Sequence, residues 1–579
     1  MIRTRIWASA ASLLVFATLT APANAQVASA LLVEDGPLPG GPVGDTISSI
    51  GNTAVNHAGG YACGVTTTGS ATLSHIWGNA SGGAGNVIQT EGTHGVYVQT
   101  SFESFYGLAD DGSVAYSAIA NNTMSGSTGL DGVWLNDTPV AIEEEPILTL
   151  PGMWWVFGSR PGITAAGSPY WIGGMSDTQG GSSQNRGLFI GVGQTVLLQG
   201  GDQPANLPFP IETGASNLDF DYRVSADGNQ QIVPVLIDTG SSTDDGCIVV
   251  SNAGLLIDGS LVRESTPIPA AAGGLPGENW DNFDFTGITN SGTYFFTGDT
   301  DGDIATDEYI LQDGAIIYRE GDMVDGFVIS GALEGAYQNE NADIAFIWDI
   351  DDPMLGNIEA LYLNGMLLLK EGDPVDLDND GVVEPMSVLS QFTGISTLTV
   401  SDRAPDGEVR VYFTADVDTM GTSSTTDDVE GFFCMPVLLP ECFLVFGSGP
   451  GVTPFNPAGG HTFWTQVEDI DGFQPVLLDD LGELPLEVIK PSFGATLIGD
   501  YSDPTPVQSF AAQVLMWNPQ VFPQQPEQSS YGLMVYVFGN GHFLTRRFGT
   551  GTGMDLWVER GLNASGEPVL RFPFTIPGL

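Results

Sequence analysis

The sequence is poor in positive charge. Only 15 Lys and Arg stand against 70 Asp and Glu in 579 residues, a formal net charge of −55. Nucleic acid and anionic membrane surfaces are bound through basic patches, and this composition offers none. Cysteine is scarce too, with four residues, Cys63, Cys247, Cys434 and Cys442. That is too few for a disulfide scaffold, and no C-x-x-C pair exists for zinc or thiol redox chemistry. Cys434 and Cys442 are spaced to close a local loop, whereas Cys63 and Cys247 are expected in distant repeats. The five histidines, His57, His75, His94, His461 and His542, contain no pair at metal-ligand spacing, and no G-x-S-x-G elbow occurs. Each is expected to be a surface or satisfied structural residue. Beyond residue 25 there is no run of about 18 apolar residues, so no transmembrane segment is expected.

What the chain has is turns and apolar strands. Gly at 77 and Pro at 36 favour many short strands over helices, and 42% apolar content with 30 Phe and 11 Trp marks a folding chain despite its charge. The N-terminus reads as a secretory signal over residues 1–25. Arg3 and Arg5 precede an apolar core from Ile6 to Leu19, and Ala23-Asn24-Ala25 forms a small-residue cleavage site. The expectation is export to the periplasm, cell surface or extracellular space.

Two signatures recur, each seven times. One is a Gly-centred turn entering an apolar strand, as at Gly59-Gly60-Tyr61, Asp111-Gly112-Ser113-Val114 and Ser291-Gly292-Thr293-Tyr294, with neighbouring copies about 50 to 65 residues apart. The other is an apolar strand ending in acidic residues and Gly, as at Leu31 (LLVEDG), Ala315 (AIIYREGD) and Leu367 (LLLKEGD). Between Asp281 and Asp322 one complete unit shows four strands. The two series are offset, so that a strand at Leu31–Glu34 precedes the first Gly turn. A closed ring explains this: the first strand completes the last blade, beside Gly431–Pro436. The fold class is therefore all-β, a seven-bladed β-propeller over 26–436 closed by an N-terminal strand. An antiparallel β-sandwich-like domain follows over 437–579. Trp154, Trp155, Trp171, Trp280 and Trp348 recur at repeat positions and are expected to pack between blades.

Acidic residues gather in the turns between second and third strands and at the Glu-Gly-Asp exits (Glu320 with Asp322, Glu371 with Asp373), predicting one negative rim, weaker over the first three blades. Within it, Asp376, Asp378, Asp380 and Glu384 place oxygen ligands at alternate positions, with Gly381 allowing a sharp turn. This is the pattern that wraps a hard cation, and structural calcium is expected there. Asp299, Asp301, Asp303 and Asp307 are a second candidate set, with the Gly one position early. The alternative for both is turn chemistry, since Asp stabilises turns readily.

The Asp376 spacing resembles the calcium loops of integrin-like propellers. The repeat, from Asp111-Gly-Ser-Val-Ala-Tyr-type turns to Arg319-Glu-Gly-Asp322-type exits, resembles an uncharacterised family of secreted bacterial repeat proteins over about Leu31 to Pro436. That resemblance implies a propeller and export, and no catalytic residues. The expected function is a non-enzymatic binding or structural module, with an extracellular polysaccharide or another surface protein as partner. The alternative is a carbohydrate-active enzyme, a glycoside hydrolase or lyase, with carboxylates in the propeller channel.

Overall fold

The computed structural model describes residues 27–438 apart from 70, 385, 394–396, 405–407 and 422–427, together with six strands further on. The expected leader, Cys442, His461 and His542 lie outside the described residues.

Each blade is a four-strand antiparallel meander, and blade five shows how the sequence builds one. Trp280–Ile288, Tyr294–Thr300, Tyr309–Gln312 and Ala315–Arg319 pair in chain order. The last hairpin turns on Asp313 and Gly314, both with positive φ (48° and 83°), the two-residue turn whose twist matches paired strands. Blades one to four have innermost strands at Thr46–Val55, Tyr97–Leu108, Trp154–Ile163 and Arg223–Val224. Blade six runs from Phe327–Gln338 to Met366–Lys370. The Gly-turn series forms the innermost hairpins, and the acidic-exit series forms the outermost strands and the turns that leave them.

Blade seven takes its inner strands from the end of the repeat region and its outermost strand from the start of the chain. Val429–Leu438 pairs with Glu408–Asp418 on one side and with Ser29–Val33 on the other, in the register Ser29↔Cys434 and Val33↔Gly431. The ring is closed as the offset of the two series requires.

Blade interfaces form the core. Ile76 of blade one meets Tyr116 and Trp134 of blade two. Val133 meets Trp155, Trp171 and Phe189 between blades two and three. Phe295 and Ile310 meet Phe346 and Trp348 between blades five and six. Leu32, Tyr412 and Phe432 pack on Tyr61 and Trp77 where the ring closes. Strands covered on both faces read as continuous apolar runs, which is why Pro169–Ser176 is buried at every position. Trp155, Trp171, Trp280 and Trp348 are all at most 1% exposed, so they pack between blades as expected. Cys63 and Cys247 are buried in blades one and four and unpaired.

Beyond the propeller, Thr465–Gln466, Pro506–Leu515, Ser530–Phe538, Phe543–Phe548, Met554–Leu562 and Pro568–Arg571 form one antiparallel sheet in chain order. Among the described residues no helix is long and apolar enough to cross a membrane.

Candidate functional site

The carboxylate loop lies between blade six and blade seven. Asn379 and Gly381 adopt positive φ (60° and 85°), curling the chain so that carboxylate oxygens of Asp376, Asp378, Asp380 and Glu384 all come within 4.8 Å of one another. Backbone donors orient them: Gly381 N–H to Asp376 Oδ2 (2.9 Å), Val382 N–H to Asp380 Oδ1 (2.9 Å) and Leu377 N–H to Glu384 Oε2 (2.8 Å). Partial desolvation, then Asp380 and Glu384, push the Asp378 carboxyl above its ordinary value. Four acids so close repel one another, and an all-oxygen donor set suits a hard divalent cation. The loop is also bonded to the strand that closes the ring. Asp376 N–H donates to Ala28 O (3.0 Å), Ala30 N–H donates to Asp376 O (2.8 Å), and Ser29 Oγ donates to Asp376 Oδ2 (2.8 Å).

The second acidic turn is arranged differently. Asp301 accepts both the backbone N–H and the side-chain Nδ2 of Asn279, each at 2.7 Å, and these bonds hold its carboxyl below the usual range. Asp303 Oδ1 caps Ala305 N–H (3.3 Å), while burial and then Asp307 push Asp299 up. Among the described residues, the close gathering of carboxylates occurs at the Asp376 loop, and Asp299, Asp301, Asp303 and Asp307 form no such group.

The Glu-Gly-Asp exits are turn closures. Asp322 accepts from Arg319 N–H (2.9 Å) and Asp373 from Lys370 N–H (3.0 Å), across Gly321 and Gly372 at φ +88° and +87°. Gly200-Gly201-Asp202 looks divergent in sequence and makes the same closure onto Gln199 N–H (2.9 Å).

A further recurrence lies outside the two sequence signatures. Glu308, Glu359 and Glu430 stand at or just before the apolar part of the third strand in blades five, six and seven. Each accepts a hydrogen bond from the innermost strand of the following blade: Leu333 N–H (2.7 Å), Phe392 N–H (2.8 Å) and Ile50 N–H (2.9 Å). Burial is the main reason their carboxyls rise, to about 8, 7 and 7, with neighbouring acids adding to it and the amide donors opposing it. The recurring signal is the acid itself, as in Glu308-Tyr-Ile-Leu and Glu430-Gly-Phe-Phe.

These values set the pH response. A carboxyl whose folded pKa is raised binds more protons folded than unfolded, so its contribution is full below the ordinary carboxylate value and is lost as pH rises through the folded one. Between about pH 4.5 and 8 stability should therefore fall with rising pH. At constant ionic strength we expect the melting temperature to drop by several degrees from pH 5 to pH 8. The slope should flatten when Glu308, Glu359 and Glu430 are all replaced by Gln, and a rising or flat wild-type profile would exclude this account.

The axial channel is lined by the innermost strands of all seven blades and encloses about 150 Å³. Its end at the Gly turns is laced across. Glu340 accepts from Ala226 N–H (3.1 Å) and Asn290 N–H (2.7 Å), Glu340 N–H donates to Asp402 (2.8 Å), and Asp402 meets His57 Nδ1 at 2.8 Å. Burial alone would lower the His57 pKa, but Asp402, Glu340 and Asp110 outweigh it and raise the value. Asp221 faces the same cavity and pairs with Arg160 (2.5 Å). Near it, burial and then Asp299, Asp221 and Asp219 push Asp284 up to about 6.

No family model matches this chain, and neither does any curated protein. Solved structures do. Pyrococcus horikoshii acylaminoacyl peptidase aligns at 10% identity over 64% of this chain and 51% of its own (TM-score 0.30), so the chain spans about half of that protein. Penicillium chrysogenum alpha-L-arabinanase aligns at 12% identity over 71% and 97% (TM-score 0.25). The Pseudomonas aeruginosa periplasmic gluconolactonase aligns at 11% over 68% and 97% (TM-score 0.27). Likeness at this level carries nothing about chemistry.

The described histidines behave as structural residues. His75 is buried between Thr67 (3.0 Å) and Thr90 (2.9 Å), and His94 meets Gln99 (3.1 Å). Of the described histidines, His57 borders the channel.

Proposed function

We propose that this chain is an exported, calcium-stabilised β-propeller serving as a non-enzymatic binding or structural module of the cell surface or extracellular space, with residues 437–579 as a separate β-sandwich-like domain. The observation that supports calcium is the Asp376 loop, where four converging carboxylates are bonded through Asp376 to Ala28, Ser29 and Ala30. A cation there relieves the mutual repulsion of the acids and braces the strand that closes the ring. Ligands that bind only the folded state stabilise it by mass action, about 2.7 kcal/mol at a hundredfold excess over Kd. Melting at low ionic strength should rise with added Ca²⁺ and fall with chelator, and the shift should vanish in Asp378→Asn/Asp380→Asn. An unchanged wild-type melt would defeat the calcium reading.

The second reading, a carbohydrate-active enzyme, draws on Asp221, Glu340 and Asp402 facing the channel. Release of reducing ends or unsaturated uronates from extracellular polysaccharides, abolished by Asp221→Asn, would favour it over the first.

A further inference from the structure

The turns between second and third strands share a device. In blades two, six and seven the second strand ends on Asn122, Asp352 or Asp418, and Met124, Met354 or Met420 stands two positions later. Each time the side-chain Oδ1 accepts two successive backbone N–H groups. These are Met124 and Ser125 (2.9 and 3.0 Å), Met354 and Leu355 (2.7 and 3.0 Å), and Met420 and Gly421 (2.8 and 2.7 Å). The cap engages backbone alone, so the turn makes no demand on the side chain at its tip. Met124, Met354 and Met420 are nevertheless 81%, 91% and 66% exposed. Single exposed apolar side chains are ordinary, but the same residue on the same cap in three blades is a pattern.

Blades six and seven join two of these tips into one surface. In a four-strand antiparallel meander the second-to-third turn and the exit of the fourth strand share a face of the ring. Leu355 Cδ1 comes within 2.9 Å of where a Cβ on Gly372, in the exit of blade six, would stand. Met386, in the connector to blade seven, brings its Cε within 3.8 Å of the same point on Gly421. Leu355 and Met386 are themselves exposed, and so is Val382 in that connector. The same turn and connector expose the carboxylates of Asp351, Asp378 and Asp380, while Lys370 is paired with Asp352 (3.3 Å). The result is an apolar row set in negative charge.

We propose that this row docks a basic amphipathic polypeptide. Apolar side chains of the partner lie on Met354, Leu355, Met386 and Met420, and its Lys or Arg side chains sit among the carboxylates. The chemistry of the face selects that partner. Nucleic acid, an anionic membrane and a second copy of this chain, at −55, are all repelled. The tips are thioether and aliphatic, which suits apolar side chains and offers a sugar no aromatic face. Methionine is flexible and polarisable, so the row can adapt to partners of differing apolar sequence. This rests on the binding-module reading and is independent of calcium.

The test is fluorescence anisotropy of labelled peptides of equal length titrated with the full chain: an amphipathic Lys/Leu peptide, a Lys/Ser peptide of the same charge, and a Glu/Leu peptide. Lys/Leu should bind at least about tenfold more tightly than Lys/Ser, and Glu/Leu should not bind. Met354→Ser/Met420→Ser should bring Lys/Leu down to the affinity of Lys/Ser. The melting temperature should stay unchanged, because both side chains are exposed. Equal affinity for Lys/Leu and Lys/Ser, which is charge attraction alone, would overturn the inference. So would Glu/Leu binding as tightly as Lys/Leu, no Lys/Leu binding at millimolar concentration, or Lys/Leu binding unaltered in the double variant. A chelator-sensitive melt without peptide binding would overturn it while leaving the calcium-stabilised module standing.

Discussion

Replacing Leu32 by Asp should destabilise the propeller by about 4 kcal/mol or more, the range for a charge forced into an apolar core. Leu32 is 3% exposed and packs with Tyr412 and Phe432 of blade seven against Tyr61 and Trp77 of blade one. Among the described residues its strand is the outer cover of Val429–Leu438, and it also bonds to the Asp376 loop, so losing it opens the ring and uncovers a long strand edge. Urea denaturation measures the loss, and limited proteolysis should cut first in blade seven. A change below about 1 kcal/mol would mean that the ring does not depend on its closing strand.

The second large effect is expected at Arg319, in blade five. Its Nη1 pairs with Glu278 Oε1 at 2.8 Å and also donates to Thr306 O (3.0 Å), while Nη2 donates to Gly273 O (3.3 Å). The two side chains are 10% and 7% exposed. Glu278 accepts in turn from Leu275 N–H (2.8 Å), so the pair holds the segment before blade five against the acidic turn inside it. Arg319→Met strands Glu278 as a buried charge and should cost about 3–5 kcal/mol. Adding Glu278→Leu should recover most of it, since a buried pair replaced by apolar groups is often neutral. If the double variant is as unstable as the single one, Arg319 acts through its backbone partners and not through Glu278.

Several features were readable along the chain because they depend on neighbouring residues. Short apolar strands, Gly at left-handed turn positions and Asp at turn closures are local, so the repeat count and the offset at Leu31 followed by inspection. The offset implied ring closure, since seven four-strand units with one displaced strand close in few ways. The Asp376 loop was legible for the same reason, its carboxylates being alternate residues of one turn.

Other features needed the folded ring. Glu308 finds its amide 25 residues away, Glu359 at 33 and Glu430 at 380, each in the next blade, and local periodicity carries no trace of such a partner. The Asp299–Asp307 turn had the composition of a cation loop, yet Asn279 takes both oxygens of Asp301 from a segment the turn's own sequence does not contain. Glu320 and Asp322 read alike as rim acids, but Asp322 closes its own turn and Glu320 accepts from Gly331 N–H (2.8 Å). Asp221, Glu340 and Asp402 come from blades four, six and seven and face one channel only because the innermost strands converge on one axis. By itself the sequence determined the blades, their number and the strand that closes them, because strand, turn and loop are written in adjacent residues. Only the tertiary structure decided which charges are buried, which are satisfied and which face the channel, because those depend on what the neighbouring blade presents.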